Sequence, residues 1–106
     1  MARFGAAHVH YWRDKQQHEV DFVLQLGRRR EVLAIECKSS ASKFEPAGLQ
    51  SFRRKHPRGA NLVVTLRDTE HYTRIVGELE VEYLPFSKIS AYLDTLRGKS
   101  PKQQQP

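Results

Sequence analysis

Two acids and a lysine interrupt stretches that otherwise read as apolar strands. Asp21 lies within Glu19-Val20-Asp21-Phe22-Val23-Leu24, and Glu36-Cys37-Lys38 closes Val32-Leu33-Ala34-Ile35. Side chains alternate along a strand, so Glu36 and Lys38 share a face. A hairpin centred between Arg28 and Arg29 sets Asp21 opposite Glu36 and Glu19 opposite Lys38, with about 5 Å between paired Cβ atoms. Two facing carboxylates repel, which is unfavourable for a purely structural hairpin. A divalent cation between them reverses the sign. Mg²⁺ or Mn²⁺ suits one or two carboxylates plus waters, and such an ion polarises a phosphodiester and lowers the pKa of a bound water. Lys38 could orient a nucleophile or stabilise charge in the transition state. The bland alternative is a Glu19–Lys38 salt bridge with Asp21 hydrogen-bonded locally.

These residues need a sheet to hold them. His8 to Arg13 reads as a strand, rich in aromatic and β-branched residues. A polar turn at Asp14 to Gln17 comes next. Glu19 to Leu26 forms a second strand, with Val20, Phe22, Leu24 and Leu26 on one face and Glu19, Asp21, Val23 and Gln25 on the other. Val32 to Lys38 is the third, with Leu33, Ile35 and Cys37 opposite Val32, Ala34, Glu36 and Lys38. Cys37 is expected to be a small core residue. Pro46 suits a helix start, and a helix from about Pro46 to Lys55 buries Leu49 and Phe52 and stops before Pro57. Asn61 to Leu66 is a fourth strand. Strand, helix and strand make a βαβ unit whose strands run parallel. A short strand at Tyr72 to Val76 and one at Val81 to Leu84 come after it. Ser87 can cap a last helix to about Leu96, with Ile89, Tyr92, Leu93 and Leu96 as its apolar face. The fold class is α/β: a mixed four- to five-stranded sheet with a βαβ crossover and a C-terminal helix. Residues 1–97 form one domain, and 98–106 a Pro/Gln-rich tail expected to be disordered.

The 106 residues carry a formal net charge of +6. That surplus admits a nucleic-acid partner or simply serves solubility. One cysteine excludes an internal disulfide and a cysteine-rich zinc site. No apolar run is long enough to span a membrane, and a reducing cytoplasm is the default compartment. Two basic runs, Arg28-Arg29-Arg30 and Arg53-Arg54-Lys55, are candidates for DNA contact. The topology predicts that they meet at the end of the domain remote from Asp21 and Glu36. His10 falls opposite Asp21 if the first turn is centred between Lys15 and Gln16, and Trp12 then shares its face. Gln50, one turn into the helix, is a candidate polar residue of the site.

Asp21 and the Glu36-Cys37-Lys38 triplet on adjacent strands, followed by a helix, resemble the PD-(D/E)xK nuclease superfamily. More narrowly, Tyr11-Trp12-Arg13, Glu19-Val20-Asp21-Phe22 and Ile35-Glu36-Cys37-Lys38-Ser39 resemble the DUF4143 domain, found at the C-terminus of prokaryotic AAA-type ATPases. The resemblance implies a restriction-endonuclease-like core. It implies Asp21 and Glu36 as ligands for Mg²⁺ or Mn²⁺, Lys38 as catalytic lysine, and Glu19 as auxiliary acid. The superfamily core opens on a helix, but only Met1 to Ala7 precede the first strand here, so that helix is expected to be truncated or absent. No P-loop is present, so the chain resembles a detached C-terminal domain. The implied activity is DNA cleavage. The alternative is a catalytically inactive module that binds or regulates an ATPase partner. A second chain, as a homodimer or as that partner, is expected to cover the core left open.

Overall fold

The computed structural model describes residues 8–25 and 31–96. The expectations for Met1 to Ala7, for Arg28, Arg29 and Arg30, and for the tail at 98–106 lie outside the described residues. Among the described residues, six strands form one mixed sheet, more than the four or five expected. They are β1 (His8–Arg13), β2 (Glu19–Gln25), β3 (Val32–Lys38), β4 (Asn61–Thr65), β5 (Tyr72–Val76) and β6 (Leu79–Pro85). The sheet order is β1-β2-β3-β4-β6-β5. β1, β2 and β3 pair antiparallel, whereas β3, β4 and β6 run parallel. The short Tyr72 strand folds back on β6 as an antiparallel hairpin, turning at Gly77 with φ of 64°. β6 therefore slots between β4 and β5.

Helix α1 (Ala47–Lys55) links β3 to β4, and α2 (Ile89–Leu96) comes after β6. α1 begins after Pro46, whose missing N–H is harmless there. A 3₁₀ turn at Ala41–Lys43 precedes α1. Another at Phe86–Lys88 precedes α2, so Pro85 stands at the cap of that helical stretch and not Ser87 as expected. Each helix covers one face of the sheet. On the α1 face, Val20, Val23, Ala34 and Val63 pack with Leu49 and Phe52. On the α2 face, Leu24, Leu33, Ile35, Leu62, Val64 and Leu84 pack under Ile89, Tyr92 and Leu93. Leu96 stays exposed, contrary to its place in the predicted apolar face. Apolar cover on both sides explains why all five residues of β4 are buried. No helix among the described residues is long and apolar enough to cross a membrane.

Two features depart from the pattern of alternating faces and exposed charges. The first is in β2. Trp12 pairs with Val20 and His10 pairs with Val23, so β2 holds one residue more than β1 across that interval. Asp21 and Phe22 together oppose Tyr11, which is a β-bulge. The bulge shifts the phase of the strand. Val20 joins Val23 and Ala34 on the α1 face, not Phe22 and Leu24 as alternation predicts.

The second is Arg53, which is buried at 5% exposure in the last turn of α1. Its guanidinium donates to the main-chain carbonyls of Val32, His56, Arg58 and Ala60 and to Asn61 Oδ1, at 2.7–3.0 Å. Burial without a carboxylate lowers its pKa to about 10. Arg53 is thus not a candidate for DNA contact. It ties the end of α1 to the start of β3 and to β4. Replacing it with Met removes all five bonds and leaves buried acceptors unpaired, so Arg53→Met should cost about 3 kcal/mol or more. Arg53→Lys should recover only part of this, because an ammonium has three donors and no planar fork. Urea denaturation of the three proteins checks the ranking.

Candidate functional site

The start of β2, the end of β3 and the first turn of α1 meet around a cleft of about 220 Å³. Asp21, Glu36, Lys38 and Glu19 line it, as do His18 and Glu45. α1 comes this close because residue 48 is glycine. A Cβ there would sit 2.4 Å from the carbonyl oxygen of Glu19. The helix therefore presents its first turn directly to the acidic strand ends.

Glu36 is the buried member, at 6% exposure. The Lys38 ammonium lies 3.7 Å from its Oε1. Burial pushes the Glu36 carboxyl up, and the charge of Asp21 pushes it further. Lys38 pulls the other way, and the balance is a pKa of about 7. A carboxylate in this position is short of positive charge.

Asp21 sits in the bulge. The β2–β3 ladder runs from Gln25–Val32 to Phe22–Ile35, in the register expected from the sequence, and stops there. At the next step Asp21 Oδ2 accepts the Cys37 N–H at 2.8 Å. A side chain thus takes over the hydrogen bond that a strand carbonyl would otherwise accept. This holds the Asp21 carboxylate against the stretch of β3 that carries Glu36 and Lys38.

Glu19 behaves differently from expectation. It follows the bulge phase, next to inward-facing Val20, and its carboxylate turns to Tyr11 and Arg13. The Tyr11 hydroxyl donates to Oε1, and Arg13 Nη2 is 3.8 Å away. The facing Glu19–Lys38 pair is replaced by Glu19–Arg13 and Glu36–Lys38. Glu19 still borders the cleft, but its charge is the weakest of the influences on Glu36.

Other candidates are dispersed. Gln50 lies on the far side of α1, lining a separate cleft with Gly77 and Glu78. Its Nε2 is 3.0 Å from where a Cβ on Gly77 would stand. His10 pairs with Val23, not with Asp21, because the first turn is longer than a tight one and the bulge adds a further residue. Trp12 is on the α1 face but packs edge-on against Phe52 at 5.3 Å between ring centroids. Cys37 is exposed rather than in the core, because the α2 face is left uncovered at that end of β3. Arg54 and Lys55 are exposed on α1.

Sequence reading overlooked Asp14, which builds the turn beside the cleft. Its Oδ1 accepts the Gln16 and His18 N–H groups, and its Oδ2 accepts from the Ser51 hydroxyl and meets His18 Nδ1, all at 2.7–2.9 Å. Burial pushes its carboxyl up, but the hydrogen bonds from Ser51, His18 and the main chain outweigh that and hold it well below the usual carboxylate range. The signal for it was an Asp opening a polar turn, a residue type that bonds its own following backbone. Glu45 was overlooked too, though an acid just before a helix start is favoured by the helix dipole.

The donors in the cleft are hard carboxylate oxygens, which suit Mg²⁺ or Mn²⁺ rather than softer ions. Among the described residues, no group of three or more His, Cys, Asp or Glu side chains is arranged to hold a metal ion. The pair Asp21 and Glu36 fits the commoner Mg²⁺ arrangement, in which waters complete the shell.

A family model described as "Domain of unknown function (DUF4143)" matches residues 1–87. Neither the curated proteins nor the solved structures compared with the chain give a match.

The carboxyls of Glu36 and Asp14 impose opposite pH dependences. A raised acid pKa means the unfolded chain loses its proton first. Glu36 therefore costs stability progressively as pH rises from near 4.5 to about 7. In metal-free buffer, Glu36→Gln should be more stable than wild type at pH 8, by about 3 kcal/mol at most. The advantage should vanish below pH ~4. Asp14 has the opposite sign. Its contribution is complete above the ordinary carboxylate pKa of about 4 and is lost as pH falls below it. Asp14→Asn should therefore be destabilised at pH 7 and approach wild type in acid. Urea midpoints across pH 3–8 measure both.

Proposed function

We propose that this chain, which belongs to the DUF4143 family, carries a divalent-metal-dependent phosphodiesterase site of the PD-(D/E)xK type that acts on DNA. The observation that carries the reading is the meeting of Asp21, buried Glu36 and Lys38 in one cleft at the strand ends. The mixed sheet with a helix between parallel β3 and β4 is compatible with a restriction-endonuclease-like core. Asp21 and Glu36 would hold the ion. When bound there, Mg²⁺ or Mn²⁺ supplies Lewis-acid polarisation of a phosphoryl oxygen and a more acidic water. In hydrolysis, a water oxygen forms a bond to phosphorus and the bond to the leaving oxygen breaks. The Lys38 ammonium, held beside Glu36, stabilises the negative charge that builds on the phosphoryl group. Asp21, anchored by the Cys37 N–H, keeps the site at a fixed distance from β3. The helix start at Ala47 and Gly48 closes one wall.

A second reading is a site retained without catalysis, in a module that binds or regulates an ATPase partner. The lack of a third close metal-ligating side chain among the described residues favours it. The two readings part on Lys38. Wild-type protein should show a Mn²⁺-dependent rise in melting temperature, since a bound ion stabilises the folded state by linkage. It should also nick plasmid DNA in Mn²⁺. Glu36→Gln should lose both. Lys38→Ala should keep the thermal shift and lose cleavage by about 100-fold or more. A thermal shift without cleavage of duplex, single-stranded or branched DNA selects the second reading. Absence of both overturns the metal site.

A further inference from the structure

A second cleft, of about 710 Å³, lies beside the acidic one, between the turn after β1 and the outer side of α1. Lys15, Arg54, Lys55 and Arg13 line it, with Asp14 and Ser51 at its base. Four cations around one depression would ordinarily be offset by neighbouring acids. Here the acid in the lining is already committed. Asp14 accepts four hydrogen bonds, from Gln16, His18 and Ser51, which fills its acceptor capacity. Arg13 is shared with Tyr11 and Glu19. Lys15, Arg54 and Lys55 have no acidic partner among the described residues. The cleft is also firmly built. The Ser51–Asp14 bond of 2.7 Å locks the turn onto the helix, so the cations on either side keep their spacing.

Helix α1 ends at the start of β3, remote from Glu36 and Lys38 as the topology predicts, yet Arg54 and Lys55 in its last turn also line the cleft that the β1–β2 turn borders. The β1–β2 turn belongs to the same end of the sheet as Asp21 and Glu36. Residues 14–16 line the basic cleft, and residues 17 and 18 line the acidic one. One helix serves both, Gly48 at the acidic cleft and Arg54 at the basic one. Their six-residue separation is roughly 9 Å of helix axis.

We propose that this cleft is a phosphate-backbone binding site for a polynucleotide, with Lys15, Arg54 and Lys55 as its cations. It engages phosphates of a strand whose neighbouring phosphate lies at Asp21 and Glu36. The assignment of that reacting phosphate rests on the phosphodiesterase reading. The binding itself does not, and the test separates the two.

The probe is a fluorescein-labelled single strand of about 20 nucleotides, titrated with the full chain by anisotropy in EDTA at several salt concentrations. Lys15→Ala/Arg54→Ala should bind roughly tenfold more weakly, and its salt slope should become shallower by about one for each phosphate no longer held. A charge-matched control, Arg74→Ala/Lys88→Ala, removes two cations from β5 and the turn before α2 and should bind as wild type. Melting curves confirm that both variants are folded. Unchanged affinity and slope in the cleft variant overturn the proposal, as does an equal loss in the control. Displacement of the strand by polyglutamate at the same charge concentration also overturns it, by showing a general polyanion surface. Cleft-dependent binding without Mn²⁺-dependent cleavage supports this site and removes the catalytic reading alone.

Discussion

The crossover from β3 to β4 depends on one buried cation. Arg53 has no carboxylate beside it, yet each acceptor it meets is a main-chain carbonyl or the Asn61 amide. Those carbonyls belong to the start of β3, the chain leaving α1 and the residue before β4. A guanidinium is the side chain that can serve them together, since it offers a planar fork of five donors. The end of α1 is thereby fixed to the sheet, and with it the direction of the helix. At the other end of α1, Gly48 rests on the Glu19 main chain. Nine residues of helix are pinned at both ends, and the acidic and basic clefts take their shapes from that alignment.

The acidic cleft sits in tension with this scaffold. Burial and a neighbouring carboxylate disfavour the ionised form of Glu36, and Lys38 relieves it only in part. Folding alone gives no reason to retain a charge there. A site that takes up a cation does, because the ion reverses the sign of the interaction. On the metal-site reading proposed above, the stability forgone without the ion would become affinity for it.

Much of this was legible in the residues. The hairpin register between β2 and β3 comes from the apolar pattern and the position of the arginine turn, and it held across Phe22 to Gln25. The parallel pairing of β3 and β4 came from strand, helix and strand in sequence. What was not legible depends on single atoms or single residues. Arginine is read as a surface residue by type, and nothing local marks Arg53 as different from Arg54. The bulge at Asp21 and Phe22 contains no glycine to announce it, and it reassigned Val20 and Glu19. Gln50 pointed elsewhere because one helical position is about 100° of rotation, enough to exchange one cleft for another.

The bulge has a further meaning for how such a chain can change over time. A strand is a signal of period two, and one extra residue is a phase slip of half a cycle. Val20 and Val23 lie three apart in sequence yet pack on the same face. Deleting either Asp21 or Phe22 would bring them two apart, and an unbroken strand would still bury both. Packing on that face therefore has no need of the extra residue. What the slip supplies is a place where a carboxylate can lie along the edge of β3 and take its N–H. Deletions that smooth the strand would leave the fold standing and dissolve the acid's seat. A strand of even phase through this stretch would thus mark a relative that keeps the architecture without this seat for Asp21, and the parity of one short segment becomes a record of whether the seat is kept.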